Sequence, residues 1–293
     1  MNDVALTPVA RACGSVLAAA REQIGALDAR VLLEQALGCS AAQLMAHPER
    51  VLTCDQDERY RSAVQRRSRG EPVAYITGER EFYGRSFRVA PEVLIPRPET
   101  ELLVELALAH LSPDAKQSVL DLGTGSGCVA LSIAAERAHV RVTAVDACAS
   151  ALGVARKNAQ ALGVANVRLL LSDWFAAVGD VCFDLIVANP PYVADADPHL
   201  TEADLRFEPP LALCAGADGL AALRAIVTAS SGYLAPGGRL YLEHGYDQAH
   251  AVRELLAGNG YVDVASYRDM ADIERVTGGR PSPARLTLGR RKR

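Results

Sequence analysis

The passage from Ser118 to Asp146 limits the fold of this chain more than any other. "SVLDL" is a short apolar run that leads directly into Gly123-Thr124-Gly125-Ser126-Gly127. "CVALSIAAER" follows with apolar residues at helical spacing, and "RVTAVDA" is a second apolar run that reaches Asp146. Strand, glycine turn, helix and strand in that order form a nucleotide-binding unit of a parallel sheet. Glycine permits both the sharp bend and the close approach of a ligand to the backbone.

The alternation continues to the end of the chain. "PETELLVELALAHL" reads as a helix with Pro98 in its first turn and Glu99 and Glu101 near its positive end. "SALGVARKNAQALG" is a helix, "VRLLLSD" and "FDLIVANPP" are strands, and "DGLAALRAIVTASSGYL", "GRLYLEHG" and "DQAHAVRELLAGNG" are helix, strand and helix. "YVDVASYRD" and "ARLTLGR" have no helix between them and suit an antiparallel addition at the edge. The expected class is α/β, a doubly wound Rossmann-like sheet spanning residues 97–293.

The front of the chain differs. Residues 1–75 read as a small helical domain, from "SVLAAAREQIG", "DARVLLEQALG" and "CDQDERYRSAVQRRSRG", with Asp28 capping the second helix and Gly38 following its end. Val73, Tyr75, Phe82, Tyr83, Phe87 and Val89 then lie in short β-prone pieces with glycine turns, so residues 76–96 are expected to form a β-hairpin linker.

Charge and cysteine usage exclude several classes. With 49% hydrophobic and 23% charged residues the chain has the balance of a soluble globular protein. A net charge of −4 opposes a bulk electrostatic grip on nucleic acid, so no direct nucleic-acid partner is expected. The basic clusters Arg66-Arg67-Ser68-Arg69 and Arg290-Arg291-Lys292-Arg293 read as solvated surface or a chain end. The opening residues lack a basic segment followed by an apolar core, and no apolar run approaches the roughly 18 residues of a membrane span. No membrane partner and a cytoplasmic location are expected. Seven scattered cysteines without a C-x-x-C pair read as reduced thiols, and no metal site is expected.

Details of the turn select a cofactor. The dinucleotide fingerprint is G-x-G-x-x-G, whereas this turn is G-x-G-x-G with Asp121 two residues ahead of Gly123. An acid beside the turn repels a pyrophosphate and suits an ammonium or sulfonium group, which points to S-adenosylmethionine. Gly123, Thr124, Gly125, Ser126 and Gly127 are its expected cradle, and Asp146 the acceptor for its ribose hydroxyls. Asp173 and Trp174 end the next strand, where a carboxylate can accept from the adenine amino group and an indole can pack on its face.

The strand "FDLIVA" then breaks into Asn189-Pro190-Pro191-Tyr192. In an open parallel sheet, ligands sit beyond the carboxyl ends of the strands. This corner is therefore expected where the methyl group is presented. Its chemistry suits a planar –NH2, whose delocalised lone pair attacks poorly. The side-chain oxygen of Asn189 and the carbonyl of Pro190 can hold the two hydrogens, and Tyr192 can lie against the planar group. Two prolines, Pro190 and Pro191, keep the corner rigid.

Asn-Pro-Pro-Tyr after a G-x-G-x-G turn resembles the methyltransferases acting on planar nitrogens of adenine, cytosine or glutamine. "IPRPETE", "DLGTGSGCVAL", "SDWF", "NPPYV", "DPHL", "RFEPPLAL", "LEHG" and "ERVTGGR" together resemble the peptide chain release factor glutamine N5-methyltransferases, PrmC/HemK. The resemblance covers residues 70–293, and that family also carries a helical front. It implies a class I methyltransferase sheet, S-adenosylmethionine as cofactor, and class-I peptide chain release factors as protein substrates. It also implies methylation of the glutamine in their Gly-Gly-Gln loop, with Asn189 to Tyr192 embracing that side chain. By the same resemblance Asn189 also lines the cofactor site; Arg97 and Glu99 either close over it or serve the start of the following helix, and His199 and His244 are read as structural. The alternatives are a ribosomal-protein glutamine methyltransferase, a DNA adenine N6-methyltransferase and a non-catalytic binding module. The acidic chain lacks the basic recognition region of the DNA enzyme, and a binding module has no need of the corner.

Overall fold

The computed structural model describes residues 11–201 and 204–283. The chain divides into two units, Met1–Gly78 with Thr201–Phe207, and Glu79–Leu200 with Glu208–Arg293. In the first, α1 (Cys13–Ile24), α2 (Ala26–Leu37), α3 (Ala41–Ala46), α4 (Cys54–Ser68) and α5 (Val73–Thr77) enclose one apolar core. Val16 and Ala20, Ala29 and Leu33, and Tyr60 and Val64 recur at four-residue spacing and put that core on one face of each long helix. Ser40 and Thr53 each form a capping box, with Gln43 and Gln56, so α3 and α4 start where the sequence changes from turn to helix.

Two expectations fail in this unit. Asp28 does not cap α2: the chain turns at Gly25, φ 84°, so Gly25 is the N-cap and Asp28 falls in the first turn. Its carboxylate there accepts from Arg67 Nε at 2.6 Å. Val73 and Tyr75 are helical rather than extended, because Pro72 starts α5 and burial of Ala74 and Tyr75 outweighs the β preference of the run. The segment Thr201–Phe207 is tied into the same unit by Arg67 Nη1, which donates to Asp204 Oδ1 at 2.7 Å, and by Arg206, which donates to the carbonyl of Arg69.

The second unit begins with the hairpin β1 (Glu79–Phe82) and β2 (Arg85–Arg88). The sequence reading treats it as a linker. Phe82 and Phe87 instead meet edge to face and join the core that contains α6 (Glu101–His110). The elements that follow are β3 (Ser118–Leu122), α7 (Cys128–Glu136), β4 (Arg141–Asp146), α8 (Ala149–Leu162), β5 (Val167–Leu171) and β6 (Phe183–Ala188). Then come α9 (Pro210–Leu213), α10 (Ala221–Ser230), β7 (Leu234–Glu243), α11 (Ala249–Gly258), β8 (Tyr261–Arg268) and β9 (Glu274–Pro281).

Seven strands form one sheet in the order β5-β4-β3-β6-β7-β9-β8. The pairs from β5 to β7 are parallel, and β9 is antiparallel to β7 and β8. The central strands are apolar on both faces. Leu185 and Val187 of β6 enter the core with α6 and α7, whereas Ile186 and Ala188 enter the core with α10 and α11. The last strand among the described residues is β9, and the expected strand "ARLTLGR" lies outside the described residues. Glycine is compulsory in β9: a Cβ on Gly278 would stand 2.2 Å from Cδ1 of Tyr241. Strand order reverses between β3 and β6, and this switch point positions the site.

Candidate active site

Register places the two key corners side by side. Leu122 of β3 pairs with Ala188 of β6, so Gly123 and Asn189 leave neighbouring strands at the same level. Gly123, Gly125 and Gly127 all have positive φ, and the amides of Gly123 and Thr124 both donate to the carbonyl of Val145. A cavity of about 580 Å³ opens here. Gly123, Thr124, Gly125, Ser126, Asp146, Asp173, Trp174, Asn189 and Pro191 line it.

Three expected residues stand behind that surface. Gly127 is buried, and a Cβ on it would meet Leu131 at 3.0 Å, so it serves the packing of α7. Pro190 is buried, and Tyr192 packs among the apolar residues of the α10 and α11 side. The Tyr192 hydroxyl donates to Glu243 Oε1 at 3.4 Å. Burial pushes the pKa of this phenol well above its ordinary value, with the Glu243 charge adding to the effect, so it is protonated at any working pH.

Asp146 is already employed. Its Oδ2 accepts from the Gly125 amide and its Oδ1 from the Cys148 amide, both at 2.8 Å. Each carboxylate oxygen keeps a second lone pair, so the same group that shapes the turn can also receive ribose hydroxyls. Asp121 is 2% exposed, and its Oδ2 accepts from Thr124 Oγ1 at 2.6 Å. Burial raises its pKa to about 7; the Thr124 hydrogen bond opposes the rise and the nearby Asp146 charge adds to it. Trp174 sits at φ 44°, rare for a bulky residue, with its ring edge 3.6 Å from where a Gly123 Cβ would stand. Ser172 Oγ donates to the Trp174 carbonyl and accepts from the Ala177 amide, which holds that bend.

Arg97 lines the cavity and pairs with Glu208, whose side chain is fully buried and whose Oε2 also accepts from the Ile95 amide at 3.1 Å. Glu99 is not part of the lining. His199 is exposed beside Asp197, and His244 is buried between Thr277 and the Gly245 carbonyl. Among the described residues no cluster of His, Cys, Asp or Glu could hold a metal, and no helix is long and apolar enough to cross a membrane. All seven cysteines are free thiols.

Sequence reasoning missed four contributors. Thr100 Oγ1 accepts from Asn189 Nδ2 at 3.1 Å. Glu243 is buried at the end of β7, and Glu208 anchors the segment before α6. Asn158 of α8, 1% exposed, ties β2 to the glycine turn. The legible signals were an acid closing the apolar run Leu240-Tyr241-Leu242 and one amide on the apolar face of α8.

A parallel sheet with a glycine turn, an acid on the next strand and an amide-bearing corner at the switch point defines a methyltransferase site. Residues 99–205 match the methyltransferase small domain, and residues 10–78 match the PrmC N-terminal domain. The release factor glutamine methyltransferase of Burkholderia pseudomallei is 52% identical over 263 residues, 88% of this chain and 92% of that one. Its Escherichia coli namesake is 46% identical over 253 residues, 86% and 91% of the two chains. A T. thermophilus 16S rRNA methyltransferase, solved with AdoMet and guanosine, shares the fold at 22% identity with a TM-score of 0.53, over 70% of this chain and 50% of that one. The chain belongs to the release factor glutamine methyltransferase family.

Proposed function

We propose that this protein transfers a methyl group from S-adenosylmethionine to the side-chain nitrogen of the glutamine in the Gly-Gly-Gln loop of class-I peptide chain release factors. The residues present fit that cofactor. Asp121 offers a negative charge to its ammonium end, the glycine turn a surface without side chains, Asp146 ribose acceptors, and Asp173 with Trp174 a polar edge and an aromatic face for adenine. When bound, S-adenosylmethionine supplies an electrophilic methyl carried on a sulfonium.

The observation that carries the reading is the orientation of Asn189. Its Nδ2 is held by Thr100, which leaves Oδ1 as an acceptor at the cavity. Asn189 Oδ1 receives one hydrogen of the substrate –NH2, and the carbonyl of Pro190, whose ring is buried behind the surface, receives the other at the corner, which fixes its plane. Its lone pair is then directed into the cavity. Two adjacent prolines set this geometry during folding, so little orientational entropy is lost at each turnover. A strong base is unnecessary, since an N-alkylated amide cation is acidic enough to lose its proton to water. The reaction then belongs in the cytoplasm, where release factors meet ribosomes.

Transfer of labelled methyl to purified release factors, ribosomal proteins and DNA, assayed in parallel, tests the reading. Label should appear on release factor alone, at the glutamine of Gly-Gly-Gln. Label on a ribosomal protein or on adenine in DNA, with release factor unmodified, would show that another planar nitrogen is the target.

A further inference from the structure

Asn189 can serve as an acceptor only if its amide does not flip, because a flipped amide would present –NH2 to the –NH2 of the substrate. The Thr100 hydroxyl alone cannot prevent this, since a hydroxyl donates as readily as it accepts. The next group along supplies the missing constraint. Glu243 is 1% and Thr100 2% exposed. Glu243 Oε1 receives the Tyr192 hydroxyl, whereas Oε2 is buried and has no hydrogen-bond partner among the described residues. The Thr100 hydroxyl makes no hydrogen bond to Oε2, but of the groups around the carboxylate it is the one that most favours the ionised form.

We propose that Glu243 and Thr100 are positioning residues that set the direction of the hydrogen bonds beneath the Asn-Pro-Pro-Tyr corner. A carboxylate only accepts, so an ionised Glu243 draws the single proton of the Thr100 hydroxyl. The Thr100 oxygen is left with lone pairs, and the Asn189 amide must offer it Nδ2. Oδ1 is thereby turned to the cavity. The same carboxylate fixes the Tyr192 ring through its phenol, so one buried acid orients both ends of the corner. This inference rests on the reading of Asn189 as the acceptor for the glutamine amide.

The charge of Glu243 is held close to its balance point. Burial raises its pKa to about 7; the Thr100 hydroxyl opposes the rise, Glu99 adds to it, and Arg275 and Tyr192 lower it. Burial pushes the Cys128 thiol up to about 12, with the Asp121 and Glu243 charges adding to the rise, so it stays neutral.

The test uses full-length Glu243→Gln, Thr100→Val, Thr100→Ser and Asn189→Ala, with kcat and KM for release factor, calorimetric Kd for S-adenosylmethionine, and Tm. Glu243→Gln keeps the shape but can donate, so both polarities of the relay become available. It and Thr100→Val should lower kcat at least ~10-fold, with Kd and KM held within about twofold, because orientation of the nucleophile is the lost term. Thr100→Ser should restore most of the rate. Wild-type kcat should rise as pH passes about 7, and Glu243→Gln should lose that rise. Wild-type turnover in Glu243→Gln and Thr100→Val, with Asn189→Ala inactive, overturns the relay and leaves the reading of the corner standing. Turnover in Asn189→Ala overturns that reading and the relay with it. Parallel losses of Tm and cofactor affinity in Glu243→Gln and Thr100→Val also overturn the relay, by assigning both residues to the fold.

Discussion

At Asp121 the fold keeps a carboxylate where its charge is opposed. Burial holds its pKa at about 7 against an ordinary 3.8, so the folded chain retains a proton that the unfolded chain has lost. The sign follows from linkage. Stability from this group is fully present below about pH 4 and lost as pH rises through about 7. Asp121→Asn should therefore gain Tm relative to wild type at pH 8 but not at pH 4. Binding runs the other way, because an ammonium or sulfonium nearby favours the ionised acid. Wild-type affinity for S-adenosylmethionine should fall as pH drops below about 7, and Asp121→Asn should bind weakly at pH 8. Calorimetry and thermal melts at both pH values check this, and a variant that binds like wild type at pH 8 removes Asp121 from the cofactor site. The acid itself was legible two residues ahead of Gly123. Its protonation was not, because burial comes from partners distant in sequence.

Among elements, α8 is hydrogen-bonded to the glycine turn and to β2 through the buried side chain of Asn158. Asn158 Oδ1 accepts from the Arg88 amide at 2.8 Å, while Nδ2 donates to the Arg88 carbonyl at 3.0 Å and to the Ser126 carbonyl at 2.8 Å. The strand β2, the glycine turn and α8 thus share an amide that has both donors and an acceptor. Asn158→Ala strands these backbone groups, and denaturant titration should show a loss of about 2–4 kcal/mol. Asn158→Asp keeps the acceptor and loses both donors, so its cost should be similar or larger, with weaker cofactor binding as the Ser126 turn relaxes. The same scale shows where the sequence was readable. The strands from β3 to β7 follow from apolar runs alternating with helical spacing, and Gly123 and Asn189 follow from the rule that ligands sit at strand ends. The strand β9 hid behind Gly278, whose lack of a side chain is explained only by Tyr241 on the neighbouring β7. The helix α5 hid because burial of Ala74 and Tyr75 holds a β-prone run helical. Thr100 and Glu243 lie more than 140 positions apart in the numbering and meet only once the sheet has formed.

For the molecule as a whole, the open question is how one glutamine is chosen when the corner reads only an amide. Selection then requires a second surface on the protein substrate, and we infer that the helical unit supplies it. Chain connectivity supports this: shortly after Tyr192 the chain enters that unit at Thr201–Phe207, where Arg67 bridges Asp28 and Asp204 at 2.6 and 2.7 Å. Deleting Met1–Gly78 would also strip Thr201–Phe207 of its unit, and so would confound docking with damage to the loop. Arg67→Ala is the cleaner perturbation. Asp28 and Asp204 are partly exposed, so losing both pairs should cost only about 1–2 kcal/mol of local order and leave the fold standing. The informative readout is a ratio of substrates. Activity on a short Gly-Gly-Gln peptide reports the corner, and activity on whole release factor reports corner plus docking. Arg67→Ala should lower kcat/KM for release factor about 10-fold, with the peptide rate and the affinity for S-adenosylmethionine unchanged. Equal losses on peptide and protein would assign Arg67 to the integrity of the corner and leave the helical unit without a part in choosing the glutamine.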